Sequence, residues 1–548
     1  MGNSSAQVSA VAAIRAALID WRNYLVGVFT QFLANPVIGR ELRVRMRLGR
    51  SYRLQAFYLA FMVLIVVLAY EWVVGDAQRL SNPYQLQDAL LGFYYTVMGT
   101  LISLIALIAP ALTANAITLE RERKTIDLLL ATPLTARQLL VGKLVASFAF
   151  VVLLLALTMP ITAVCVLLGG VSFGDLVRAY VIVAFSSLLL CSIALFTSVY
   201  ARNSTLAVLW SYTRVAAFLG LTAILVLVQG AYRLSVASGL TGVPLMFPLA
   251  LLNPFAAIAA ADAELNLIHF RLPSWVVAVV LNLLLTRLIL TAAARKVGLY
   301  DKDVLPSVRR QVLLIVPLAV FVSLVPLLTP GSVSSLGAAA FNTPEAGVLI
   351  LFGMLPILAL AAWISPFGQD DDKPCPNDGV FRLSKMFTPA PSGALPFLSA
   401  LWVLTIGAVF AGFAWATPRT LPTLDTEFWL MLIGHITYFA GISVLFWGIG
   451  RYCSVLLGGR SLAGARALTI AVLVGIIVLP LLVHLLLFAD AGNSPALQLW
   501  LLTPLLLRDT GGTWAVDVAQ RLFTWGSVML ILGAILGALT RPRKASAA

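Results

Sequence analysis

The chain has 548 residues, of which 60% are hydrophobic and 11% are charged, and its mean hydropathy is +0.97. Soluble domains carry about 25% charged residues, so this composition excludes a soluble enzyme, a disordered chain and a nucleic-acid-binding protein. The net charge of +14 comes from 37 Lys and Arg against 23 Asp and Glu. In a membrane protein such an excess indicates orientation, because Lys and Arg accumulate in cytoplasmic loops. The composition predicts an all-α, polytopic integral membrane protein.

Residues 1–54 precede the first apolar run that is long enough to cross a bilayer. Apolar side chains recur at steps of three or four from Val11 to Phe32, which predicts a helix with one apolar face. After Pro36, six arginines run from Arg40 to Arg53. Together these patterns predict cytoplasmic interfacial helices that lie on the inner membrane surface. The alternative is a basic flank that only sets the topology.

Twelve apolar runs have the length of about 20 residues that a helix needs to cross the bilayer core. They lie at residues 55–74, 91–118, 144–168, 178–200, 207–229, 274–294, 311–329, 346–366, 397–416, 428–450, 468–488 and 521–540. An even number of spans places both termini on one side of the membrane. If the N-terminus is inside, 28 of the 37 Lys and Arg fall in inner segments. The charges therefore predict cytoplasmic N- and C-termini.

The two halves of the chain resemble each other in outline. Leu-Leu-Asn-Pro at residues 251–254 precedes the sixth predicted span, and Leu-Leu-Thr-Pro at residues 501–504 precedes the twelfth. The same offset maps each of the first six spans onto one of the last six. We therefore predict a tandem six-plus-six repeat, with six-span domains at residues 55–296 and 297–548. Shared hydropathy alone is the alternative explanation, because residue identity between the halves is low.

The most informative segment connects the second and third predicted spans. Its charged residues 120–124 mark the point at which the second span leaves the bilayer. Thr125 can cap a short helix with Asp127 in its first turn, where a carboxylate meets the positive end of the helix dipole. Leucines give that helix an apolar side, and Thr132-Pro133 ends it because the residue before proline avoids the helical conformation. This pattern predicts a surface that docks another protein, and the alternative is a solvated loop.

The same loop resembles that of type-2 ABC-transporter permeases, in which it forms a coupling helix that seats in a groove of a separate ATPase subunit. The shared pattern is acidic, basic, acidic, then Thr, an acidic residue, paired leucines, Thr-Pro and Gly-Lys. The resemblance assigns these residues to the ATPase-coupling loop: Glu120, Arg121, Glu122, Thr125, Asp127, Leu129, Leu130, Thr132, Pro133 and Lys143. Lys124 departs from the family, in which a glycine is common before the Thr.

Two further segments carry this resemblance, which covers roughly residues 35–296. Residues 35–42 are similar to the segment that opens those permeases, and residues 252–255 resemble their outer segment before span six. The resemblance assigns four residues to an interfacial helix: Asn35, Pro36, Arg40 and Glu41.

The resemblance implies the membrane-spanning permease subunit of an ATP-driven exporter in a bacterial cytoplasmic (inner) membrane. It also implies two copies of a separate ATPase, which bind ATP and Mg²⁺, and one or two permease chains. The chain itself lacks a phosphate-binding loop, because its only Gly-Lys, Gly142-Lys143, is followed by Leu144. We therefore predict no catalytic, cofactor-binding or metal site in this chain.

Three alternatives remain: an ion-coupled secondary transporter, a membrane-bound enzyme, and a non-transporting membrane component of an envelope complex. No acidic residue lies in the middle of a predicted span. This counts against an ion-coupled carrier, which needs an intramembrane carboxylate to bind the driving ion. In the second half, the matching loop at residues 367–396 keeps only Thr388-Pro389 of the pattern. We expect this half to have lost or remodelled its ATPase contact.

Overall fold

A computed structural model describes most of the chain. The described residues are 36–47, 49–74, 83–125, 136–168, 170–236, 248–266, 271–297, 305–324, 381–387, 393–416, 426–456, 464–465, 467–473, 475–476 and 514–539. The predicted helix before Asn35, the predicted eighth span at residues 346–366 and the middle of the coupling loop at residues 126–135 lie outside the described residues.

The described elements are mainly α-helices. In chain order the elements are α1 (Pro36–Arg47), α2 (Gly49–Ala69), α3 (Pro83–Thr113), α4 (Thr118–Glu122), α5 (Ala136–Thr162), α6 (Val164–Leu167), α7 (Phe173–Tyr200), α8 (Ser204–Val236), α9 (Pro254–Ala259), β1 (Glu264–Asn266), β2 (Arg271–Pro273), α10 (Ser274–Val297), α11 (Leu305–Leu324), α12 (Ala394–Ala416), α13 (Thr426–Leu456) and α14 (Trp514–Leu539). A π-helical turn at Tyr70–Val74 continues α2, and 3₁₀ turns lie at Pro248–Leu252 and Leu383–Lys385. The two strands pair antiparallel.

Nine of the described helices are long and apolar enough to cross a membrane. They coincide with the predicted spans one to six, nine, ten and twelve. The prediction of an all-α, polytopic membrane protein is therefore confirmed, whereas the count of twelve spans, the repeat and the orientation stay predictions. Helix α11 overlaps the predicted seventh span, and residues 467–473, at the start of the predicted eleventh, are helical.

The third span begins earlier than the apolar run suggested. Helix α5 starts at Ala136, whereas the predicted span starts at residue 144. Leu139 and Leu140 are buried, so the turns that precede the apolar run already have an apolar face against the protein. As a result, Lys143 lies inside a helix rather than in a loop.

Contacts divide the chain into two compact units, and each is described separately. The first unit comprises Met1–Phe218 and Leu285–Lys302. In it, α3 packs against α5 and α7 through fully buried apolar side chains such as Leu101 and Leu154. Helix α7 begins with a capping box between Ser172 and Asp175, which satisfies two backbone N–H groups of its first turn. Its other end carries residues of the candidate site.

The second unit comprises Leu219–Leu284 and Asp303–Ala548. Helix α11 packs against α12, and α13 packs against α14 along much of their length. In the α11–α12 pair, the guanidinium of Arg309 lies over the ring of Phe397, 5.3 Å from its centroid.

Glycines bring α13 and α14 into backbone contact. Gly441 faces Gly526, and Gly448 faces Gly533. A Cβ atom added at Gly526 would lie 2.7 Å from the carbonyl carbon of Thr437, which leaves no space for a side chain. The second contact lies seven residues after the first in both helices, and in the same chain direction. The two helices therefore run parallel with a seven-residue repeat.

Candidate functional site

The short helix α4 occupies the end of the second span, where the coupling loop begins. A turn at residues 114–117 separates it from α3. Ser198 of α7 supports this break, because its Oγ accepts hydrogen bonds from the backbone N–H groups of Ile117 (3.0 Å) and Thr118 (3.2 Å). Those two N–H groups lie at the start of α4, where a helix leaves its own donors unsatisfied. The serine therefore fixes where α4 begins.

A charge cluster, formed by Glu41, Glu120 and Lys143, joins three helices. Lys143 Nζ of α5 lies 2.9 Å from Glu41 Oε1 of α1 and 3.2 Å from Glu120 Oε1 of α4. The lysine side chain is only 5% exposed, whereas the two carboxylates are 22% and 17% exposed. A buried ammonium needs paired, hydrogen-bonded anions, so Lys143 holds its two partners in place. Arg40 of α1 adds a further positive charge near Glu120.

Helix α4 ends in a Schellman motif. Thr125 N–H donates to the Glu120 carbonyl (2.9 Å) and Lys124 N–H donates to the Arg121 carbonyl (3.1 Å), which is the hydrogen-bond pattern of that motif. Lys124 has a φ of 56°, the left-handed conformation that favours glycine. The resemblance to type-2 permeases implies that a glycine is common at this position, and the backbone here has the conformation that a glycine would adopt.

The Thr125 hydroxyl donates to the carboxylate of Glu120. The predicted role of Thr125 as the cap of a following helix concerns residues 126–135, which lie outside the described residues. The observed bond instead ties the start of the coupling loop to the charge cluster.

Arg121 and Glu122 contact the corner between α7 and α8, residues 199–204. Arg121 Nη1 donates to the Ala201 carbonyl (2.9 Å) and Nη2 donates to the Val199 carbonyl (3.0 Å). The Glu122 carboxylate accepts from Ser204, through Oε1 from its backbone N–H (2.7 Å) and through Oε2 from its hydroxyl (2.7 Å). A cation thus lies at the C-terminal end of α7 and an anion at the N-terminal end of α8, as the helix dipoles favour.

The structure brings together seven of the residues that the sequence assigned to the site. They are Arg40, Glu41, Glu120, Arg121, Glu122, Thr125 and Lys143. Pro36 begins α1. The other assigned residues lie outside the described part of the chain: Asn35, Asp127, Leu129, Leu130, Thr132 and Pro133.

Sequence reasoning missed Ser198, Ser204 and the carbonyl groups of the corner. None of them had a local signal, because the preference of serine for the N-cap position does not apply to Ser204, the first helical residue of α8. In the second half, Thr388-Pro389 lies outside the described residues. Among the residues that the structure describes, no group of three or more His, Cys, Asp or Glu side chains is arranged to hold a metal ion.

Comparison with known proteins identifies one family. Residues 36–360 match the family model described as ABC-2 family transporter protein. The match spans more than half of the chain, begins at the first residue of α1 and includes the charge cluster and the corner. It extends beyond residue 296, where the sequence resemblance ended. No individual curated protein matches the chain.

Proposed function

We infer the function from one premise: the chain belongs to the ABC-2 transporter family, and it is therefore a membrane-spanning permease of an ABC transporter. We propose that it is an exporter subunit that a separate ATPase energises. The ATPase would bind ATP and Mg²⁺ and dock on the coupling loop between α4 and α5. ATP-driven closure of two ATPase subunits would push on this loop and change the tilt of the spans.

The charge cluster is the observation that carries this proposal. It joins α1, α4 and α5 through a lysine that is almost fully buried. A force on the loop therefore acts at once on the interfacial helix α1 and on both spans that flank the loop. Surface ion pairs contribute little to stability, whereas removing one partner of a buried pair is costly. The cluster is thus suited to transmit a displacement without coming apart.

We propose that both termini and the coupling loop face the cytoplasm. The distribution of Lys and Arg supports this orientation. The parallel packing of α13 and α14 supports the predicted span between them, because two parallel spans require an odd number of crossings in the chain that connects them. Cysteines introduced at Arg123 and Ser384, both exposed, should resist an impermeant thiol reagent added outside intact cells. A cysteine at Glu264 in the hairpin should react, and the reverse pattern would contradict the orientation.

Docking is tested with the ATPase whose reading frame neighbours that of the permease. The wild-type chain should co-purify with this ATPase from detergent. Asp127→Lys combined with Leu129→Glu should abolish co-purification, because it reverses a charge and adds one to the predicted apolar patch. Asp371→Lys in the second-half loop is the matched control and should leave co-purification unchanged. Normal co-purification of the double variant would contradict the docking assignment.

The mass of the solubilised complex distinguishes two assemblies. One permease chain on two ATPases would mean that the two halves of the chain act as the two permease units. Two permease chains on two ATPases would mean that the first half forms the transport core and the second half is accessory. We propose the assembly with two permease chains, because the residues assigned to ATPase coupling lie in the first half alone.

A further inference from the structure

We propose that the corner between α7 and α8 moves as one body with helix α4, from which the coupling loop starts, and that Arg121 and Glu122 are the positioning residues that hold the corner to α4. This inference rests on the proposed function and adds the fourth and fifth spans to the path of transmission. The resemblance assigned Glu120, Arg121 and Glu122 to the contact with the ATPase. The inference gives Arg121 and Glu122 a different role, which is to position the corner.

Hydrogen bonds from α4 hold the corner at both of its helices, at the end of α7 and at the start of α8. Arg121 uses both terminal nitrogens on the carbonyl groups of Val199 and Ala201, and Glu122 uses both oxygens on Ser204. Helix α7 ends at Tyr200 and α8 begins at Ser204. Four hydrogen bonds from two adjacent residues of α4 therefore bind the last turn of one helix and the first residue of the next.

The corner has little freedom to move apart from α4. Three residues, Ala201 to Asn203, separate the two helices, so a shift of α4 cannot be absorbed by a long loop. Ser198, the neighbour of Val199 on α7, adds a third connection by accepting hydrogen bonds from the N–H groups of Ile117 and Thr118. Arg121, Glu122 and Ser198 thus connect α4 to both helices that meet at the corner.

The side chains of Arg121 and Glu122 are engaged within the chain itself. Both Nη atoms of Arg121 and both carboxylate oxygens of Glu122 take part in these hydrogen bonds. All four residues from Arg121 to Lys124 are exposed, so hydrogen bonding and not burial sets Arg121 and Glu122 apart. We therefore expect the ATPase contact to be made by the loop that follows Thr125 and not by the side chains of Arg121 and Glu122, whose terminal atoms are already bonded within the chain.

The test measures the distance between spin labels on either side of the fastening. Labels are placed on cysteines at Leu119 of α4 and Leu206 of α8, which are 40% and 39% exposed. Cys375 is replaced, since the other cysteines are buried. In wild type, we expect one narrow distance distribution that is the same for the nucleotide-free and the ATP-trapped complex.

Arg121→Lys keeps the charge but loses the planar fork that matches two carbonyl groups. We expect it to broaden the distance distribution and to lower the rate of ATP hydrolysis by the reconstituted complex about tenfold, the effect of losing one charge-assisted hydrogen bond. Co-purification with the ATPase should stay at the wild-type level. Ser204→Ala is a milder change and should broaden the distance distribution and lower ATP hydrolysis by less than Arg121→Lys. Arg123→Lys is the matched control, for which we expect no effect.

Three results would overturn the proposal. The wild-type distance could change between nucleotide states, Arg121→Lys could behave like wild type, or Arg121→Lys could lose the ATPase, which would make Arg121 a docking residue. Failure of the proposed function gives a different result, because the wild-type chain would then bind no ATPase. The distance distributions of wild type and Arg121→Lys in the permease alone would still decide whether the corner is fastened.

Discussion

The coupling region and the α13–α14 pair hold helices together by opposite means. Around α4, charged and hydroxyl side chains join four other helices, α1, α5, α7 and α8, through contacts between 2.7 and 3.2 Å. Between α13 and α14, glycines let two backbones touch along the middle of both helices. Membrane helices associate through close packing of small residues and through polar contacts, and this chain uses each mode in a different place.

The difference indicates what each region can do. A glycine contact has no rotatable side chain, so the two helices keep one register and α13 and α14 behave as a scaffold. The charged contacts of α4 are made by the long side chains of Glu120, Arg121, Glu122 and Lys143. Because these side chains can rotate, the helices that they join can tilt while the hydrogen bonds and ion pairs stay formed. A region that transmits a movement needs this property. Four predictions test this contrast, in order of decreasing effect.

The largest effect is expected for Gly526→Ala. A Cβ atom there would lie 2.7 Å from backbone atoms of Thr437 and Tyr438, and backbone has no alternative rotamer. The helices must separate, at a cost of about 3 kcal/mol, the upper part of the range for overpacked cores. The loss should appear as a lower midpoint of thermal unfolding in detergent.

Gly407→Ala in α12 is the matched control, since a Cβ atom there meets nothing within 4 Å. It should leave the midpoint unchanged or raise it slightly, because alanine favours a helix over glycine. Equal destabilisation by both changes would show that helix propensity or lipid contact, and not the backbone contact, governs these positions.

The second effect concerns Lys143→Met, which removes the cation of the charge cluster. Glu41 and Glu120 then lose the ammonium group that both of them contact, at a cost of about 2 kcal/mol in the free energy of unfolding. The rate of ATP hydrolysis by the reconstituted permease–ATPase complex should fall with it. Chemical unfolding and ATPase assays on the reconstituted complex measure the two losses.

A triple variant sharpens this prediction. Glu41→Gln and Glu120→Gln, added to Lys143→Met, remove the uncompensated carboxylates and should restore stability. They should not restore coupling, because the three helices are no longer tied by charge. Full recovery of coupling in the triple variant would mean that the cluster serves stability alone.

A smaller effect is expected for Asn253→Ala, a polar contact in the unit that contains the glycine pair. Asn253 Oδ1 accepts from Phe255 N–H (3.0 Å) at the start of α9, and Nδ2 donates to Thr222 Oγ1 (3.3 Å). Loss of such a cap costs about 1 kcal/mol. Asn253→Asp keeps the acceptor and should lose less, as thermal unfolding can show. Equal losses for the two variants would assign the effect to the Thr222 contact.

The smallest effect is expected for Lys124→Gly. The left-handed backbone conformation of Lys124 costs a non-glycine residue about 1 kcal/mol. Glycine adopts this conformation without strain, but it loses more backbone entropy on folding. Stability should therefore rise by less than about 1 kcal/mol and coupling should be kept. Lys124→Val is the opposing variant, because a β-branched residue is strained at this φ, and it should destabilise α4.

Much of the architecture could be predicted from the sequence. Bilayer thickness sets the length of an apolar run, so nine predicted spans coincide with described helices that are long enough to cross a membrane. The charged end of the second span was also readable, because it depends on neighbouring residues, and the resemblance to type-2 permeases marked the glycine-like position at Lys124. The start of α5 was predicted too late, since the burial of Leu139 and Leu140 depends on partners that are distant in sequence.

The sequence by itself determined that this chain is a helical membrane protein with one distinctive charged loop, because composition and local pattern suffice for both. Only the tertiary structure decided that Lys143 pairs with Glu41, 102 positions away, and that Arg121 reaches Val199, 78 positions away. It also decided that Gly441 and Gly526 bring two parallel helices into contact. These pairings depend on how helices cross in space, and one-dimensional spacing carries no information on which distant charges or glycines will meet.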